Sequence, residues 1–213
     1  MPDTRCALLH TWRLDRSIPG YPGGESSRGE QDGERSMDYQ TRARGTARQL
    51  VNLTRFGDLD TVSLMVRLLA DPGQRPQLRR VLAELLCASA AMVLRQVGDD
   101  EPGGAIMLDL RKVDGSTVDI DQLRPEVRAM VRALLAEAHG HPEDSEAQIA
   151  LALAGKPTGL TEGITMVLMW TVSALRWCES HAEPTPGWLD TTAYERRSHG
   201  RAGSHQDGSA PHG

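Results

Sequence analysis

At 213 residues the chain can hold one ordinary domain with tails; 25% of its residues are charged and only 4% aromatic, with a single Phe56. A core of that composition must be built from Leu, Val, Ala and Met, which favours helices and disfavours an aromatic-rich β-sandwich. The net charge of −5 conceals a division: residues 37–97 carry nine Arg against five acids, a net +4, and residues 98–183 carry seven bases against fifteen acids, a net −8.

Residues 1–36 include SIPGYPGGESSRGEQDGERS, rich in Gly, Ser, Pro and charge, and are expected to form a disordered extension. Met37 stands where this text gives way to helical periodicity, so translation could equally begin there. From Tyr39 to Arg55, Ala43, Ala47, Leu50 and Thr54 recur on one helical face. Gly57 closes that helix, and Asp58 or Asp60 can cap the next, LDTVSLMVRLLA. The segment DPGQRP at 71–76 breaks the chain. A long helix follows from about Pro76 to Val97, with Leu78, Val81, Leu82, Leu85, Leu86, Met92, Val93 and Val97 toward the core.

GDDEPGG at 98–104 reads as a loop. Ile106, Leu108 and Leu110 then alternate with other residues, Val118 and Ile120 alternate on the return, and Asp114-Gly115 supplies a two-residue turn, so a β-hairpin is expected at about 105–120. Asp121 is placed to cap a helix running to His139 and ended by Gly140. Pro142 and Gly155 bracket a shorter helix, and Thr161 can cap a last one ending near Glu179. The expected fold is therefore mainly α: a helical domain over 37–183, about six helices, with one hairpin. Residues 184–213 return to Gly, Ser, His and Arg and read as a disordered tail, interrupted by the island GWLDTTAYERR.

The last helix contains GITMVLMWTVSALRWC at 163–178. It is too short and too polar to span a bilayer, which takes roughly twenty apolar residues. On a helical wheel Glu162, Thr165, Arg176, Glu179 and Ser180 share a line that is interrupted by Met169 and Val172, while Trp170 and Trp177 point away from it. Met169 and Val172, with Trp188, Leu189 and Tyr194 of the tail island, are the candidate interface residues for a protein partner or a second copy. A chain with opposite charge in its two halves suits either.

Other constellations point to other chemistry. Arg44, Arg48 and Arg55 lie on nearly one face of the first helix, and Arg79 and Arg80 crowd the start of the long one, a pattern that could contact phosphates. The long DPGQRP break and the acidic second half argue against a helix–turn–helix with a wide footprint. His139, His141, Cys178 and His181 stand at helix ends and could supply zinc ligands only if those ends meet. The dipole and the free carbonyls of a helix C-terminus explain such His positions without metal. Cys87 and Cys178 read as small buried hydrophobes. Three cysteines make no disulfide framework and no secretory leader opens the chain, so a reduced, cytoplasmic setting is expected. No nucleophile elbow, phosphate-binding loop, dinucleotide fingerprint or zinc-protease motif occurs, so no cofactor or catalytic set is assigned. The leading expectation is a protein-association module, as homo-oligomer or adaptor; a small DNA-binding regulator and an enzyme of unknown chemistry are the alternatives.

Overall fold

The computed structural model of the chain describes residues 9–15, 33–97, 105–111 and 116–189. Six α-helices form the body: α1 (Gly33–Phe56), α2 (Leu59–Leu69), α3 (Arg75–Val97), α4 (Pro125–Ala138), α5 (Pro142–Ala154) and α6 (Pro157–Ser180). Two short strands, β1 (Leu9–Asp15) and β2 (Ala105–Arg111), pair antiparallel, with Leu9 opposite Arg111 and Asp15 opposite Ala105. The mainly helical class expected from composition is what the chain adopts.

α3 is the hub, packing on α1, α4, α5 and α6. Its text dictates that position. Leu78, Val81, Leu82, Leu85, Leu86, Ala88, Ala90, Met92 and Val93 are all buried and cover more of the helix circumference than a single stripe would. α6 is the second central helix, with Trp170 only 2% exposed. Where the two cross, Ser89 and Thr171 are wholly buried and their hydroxyls meet at 2.8 Å. Each hydroxyl also lies 2.8 Å from a carbonyl one turn back, Leu85 O and Val167 O. With one hydrogen apiece, one hydroxyl donates to its carbonyl and accepts from the other, so neither is left without a partner in the core.

Three helices stop in the same way. Gly57, Gly140 and Ala182 follow α1, α4 and α6 and hold left-handed backbone, φ 79°, 74° and 57°. In each case the next N–H reaches back to a carbonyl in the last turn: Asp58 to Leu53 at 3.0 Å, His141 to Ala136 at 2.9 Å, Glu183 to Cys178 at 2.9 Å. This is the Schellman closure, which satisfies the orphan carbonyls of a helix end.

Several local expectations are corrected. The 105–120 segment is not a hairpin in the full sense: β2 ladders with β1, and the return makes one bridge, Arg111 to Thr117, and one bond, Val118 N to Leu110 O at 2.7 Å. Asp119 is the reason. Its carboxylate accepts from Asp121 N at 2.9 Å and turns Ile120–Gln122 into a 3₁₀ turn, so Ile120 leaves the extended path. Asp121 lies inside that turn, and α4 starts instead at Pro125 after Arg124. Likewise α6 begins at Pro157, ahead of Thr161, and α1 begins at Gly33, ahead of Met37. The segment read as disordered over 1–36 contributes β1, whose ribbon with β2 lies against α3 and α4. The core also runs past 183: Leu189 is 2% exposed and Trp188 packs beside it.

Candidate interaction surface

α2 carries two exposed leucines on one line, whereas the other exposed large apolar residues of the later helices, Leu94 of α3, Leu151 of α5 and Met169 of α6, each stand alone on their helix. Asp58 caps α2, accepting from Thr61 N at 3.2 Å, and Val62, Val66 and Leu69 form its buried stripe. The opposite line is Asp60, Leu64, Arg67 and Leu68, all exposed. Leu64 is 59% exposed and Leu68 61%. Burial of a leucine side chain yields about 1.5–3 kcal/mol, so two of them standing in water on one line is burial left unused. Phe56 and Leu59, at the corner leading into α2, are exposed as well. The signal was present in the text. VSLMVRLL spreads apolar residues over about 200° of the helix, a wider arc than its buried face of Val62, Val66 and Leu69 takes up.

The residues proposed from sequence fall elsewhere. Met169 is 49% exposed, but Val172 is 3% exposed and belongs to the chain's own core. The outer line of α6 runs from Met169 through Ser173 to Arg176, so the apolar interruption is one residue wide. Trp188 and Leu189 dock on their own chain: the Arg48 guanidinium donates to Trp188 O, and Leu189 N bonds Pro186 O at 2.8 Å. Tyr194 lies outside the described residues.

The five arginines weighed as phosphate contacts are engaged within the molecule. Arg44 bonds Glu84 at 2.8 Å, tying α1 to α3. Arg55 grips both Glu179 oxygens at 2.8 Å, tying α1 to α6. Arg79 meets Glu146 at 2.7 Å, tying α3 to α5, and Arg80 lies 4.4 Å from the Tyr39 ring centroid. Arg48 holds the tail as described. The opposite charge of the two halves is thus used, in Arg55–Glu179 and Arg79–Glu146, to join helices of one chain.

The metal candidates do not assemble. His139 sits at the end of α4 with its Nδ1 2.7 Å from Leu135 O, and His141 is exposed ahead of α5. His181 stacks on Trp177 at 4.3 Å, while Cys178 is fully buried. Burial pushes the Cys178 thiol up, away from the thiolate that zinc requires. Among the described residues no three His, Cys, Asp or Glu side chains are grouped so as to hold a metal ion. Cys87, in contrast to Cys178, is exposed on the outer line of α3 that includes Arg80 and Glu84.

A buried carboxylate has a structural explanation. Glu126, near the start of α4, is 6% exposed, and its Oε1 accepts from Lys156 N at 2.6 Å at the mouth of α6. That bond holds the carboxyl below the usual carboxylate range, against the opposing effect of burial. Gly155 and Gly159 make room for it, since a Cβ at either position would overlap the Glu126 side chain. The group caps α6 from a neighbouring helix, where it also meets the positive end of the helix dipole.

No helix among the described residues is long and apolar enough to cross a membrane. Set against known protein families, curated proteins and solved structures, the chain matches none of them.

Proposed function

We propose that this chain is a cytoplasmic protein-association module and that α2 is its contact element. The observation that carries the reading is the pair Leu64 and Leu68, exposed opposite the buried Val62, Val66 and Leu69. An apolar line on the outside of a packed helix gains most when another protein covers it. Met169 and the Phe56–Leu59 corner are further apolar surface for such a contact. The phosphate-binding alternative draws no support from the arginines, because each has a partner in the chain itself.

The test is the native size of the protein in its source cells. A Leu64→Asp/Leu68→Asp variant is expected to run at the size of the free chain, with an unchanged melting temperature when purified, while the wild type runs larger. Val66→Asp is the contrasting control, since it buries an unpaired carboxylate at a cost of several kcal/mol and should unfold the domain. Equal native size for wild type and the double variant would contradict the role of α2.

A further inference from the structure

We infer that two copies of the chain pair through α2, antiparallel and two-fold, with Asp60 of each facing Arg67 of the partner subunit on either side of a central Leu64, and Leu68 at the outer ends of the contact. The inference rests on the association reading and names the occupant of the same face. Its ground is where α2 carries charge. Asp60 and Arg67 are seven residues apart, about 10.5 Å along the axis. Seven residues fall within about 20° of two whole turns, so both stand on one flank of the exposed line with Leu64 between them.

Consider a two-fold axis perpendicular to α2 and to the line joining the two copies. It returns every side chain to the same flank and reverses its height along the helix. Asp60 then meets Arg67 of the partner subunit at both ends, Leu64 meets its own equivalent, and Leu68 closes the opposite flank. That is the self-complementarity an isologous interface demands. A parallel pairing would set Asp60 against Asp60 and Arg67 against Arg67, and would align the helix dipoles unfavourably.

The second observation is that these two charges are vacant. Neither Asp60 nor Arg67 makes a hydrogen bond or ion pair with another described residue, although Arg42, Arg44, Arg55, Arg79, Arg124, Arg128 and Arg132 all pair with carboxylates. Arg48, Arg95 and Arg176 reach carbonyl oxygens. Arg75 also lacks a partner, but its Nε is buried; Arg67 is unpaired and exposed beside two exposed leucines, the position an intermolecular contact would complete.

Sedimentation equilibrium of the full chain tests the pairing. Asp60→Arg and Arg67→Asp each place like charges at both contacts and should weaken self-association roughly tenfold or more. The double exchange Asp60→Arg/Arg67→Asp should restore it, and an equimolar mixture of the two single variants should form a mixed dimer of wild-type strength. The positions are exposed, but Asp60 stands in the first turn of α2 and Arg67 in the last, so each exchange also opposes the helix dipole. A small fall in melting temperature is expected, largest in the double variant, whereas association should follow the charge pairing and recover there. Dimerisation unaffected by the single exchanges, or not rescued by the double one, overturns the α2 pairing while association through another face stands. A wild type that stays monomeric at every accessible concentration overturns self-pairing, and the comparison of native sizes in cells then judges the association reading separately.

Discussion

Glu126 shows how one side chain ties two helices to the pH of the medium. Its carboxylate is the acceptor for Lys156 N, and its folded pKa lies below the ordinary value of about 4.3. A depressed folded pKa contributes stability that is complete above the unfolded value and is lost as pH falls through the folded one. Thermal melts below about pH 4.3 should therefore show wild type losing stability faster than Glu126→Gln, the two curves converging as the acid limit is approached. Parallel curves through that range would show that the bond to Lys156 does not discriminate between the charged and neutral forms. At this scale the sequence was only partly legible. Helical periodicity identified Leu78 to Val93 as core, but it could not place Cys87. Apolar neighbours suggested burial, whereas its position on the Arg80–Glu84 line of α3 turns it outward. Glu126 was invisible for a different reason: its partner is a backbone group thirty residues on, at the start of a helix whose onset at Pro157 was itself misjudged.

Helix ends are where the elements spoke most clearly. Gly57 and Gly140 were readable as stops because left-handed backbone suits glycine, and both take it. Ala182 makes the same closure after α6 at φ 57° with a Cβ that disfavours it. Ala182→Gly should therefore stabilise the protein by up to about 1 kcal/mol, the relief of strain outweighing the added freedom of the unfolded chain, and Gly57→Ala should destabilise it by a similar amount. Denaturant melts measure both. A loss of stability in Ala182→Gly would mean that the methyl group packs usefully despite its backbone. The strand segment was the least legible element. Alternation correctly marked Ile106, Leu108 and Leu110 as extended, but a strand pattern does not name its partner. A two-residue turn at Asp114-Gly115 favoured a local partner, and β1 from the far end of the sequence took the ladder instead. The Asx turn of Asp119 competes with extension on the return, and such local competition is hard to weigh from text alone.

For the whole molecule, charge and apolar surface divide the labour. The basic α1–α3 portion and the acidic α4–α6 portion meet at Arg55–Glu179 and Arg79–Glu146, so the bipolar composition that suggested an external partner joins the chain to itself. Exposed pairs of this kind each contribute at most about 1 kcal/mol. The body is held mainly by the apolar layers around α3 and α6. The largest apolar line left outside on one helix face is that of α2, where Leu64 lies between unpaired Asp60 and Arg67 and Leu68 follows. The gap at Met169 and Val172 in the polar line of α6 pointed to a contact surface there, yet Val172 is buried in the core, and apolar text is what a central helix needs. The excess that matters is on a peripheral helix with a single buried face. The most direct measurement is methyl NMR of the purified protein across a concentration series, with leucine and methionine methyls labelled. With pairing through α2, Leu64 and Leu68 should shift and broaden with concentration while buried Leu82 and Leu85 stay in place. Shifts centred on Met169 with Leu64 and Leu68 unmoved, or no concentration dependence at any methyl, would contradict that pairing.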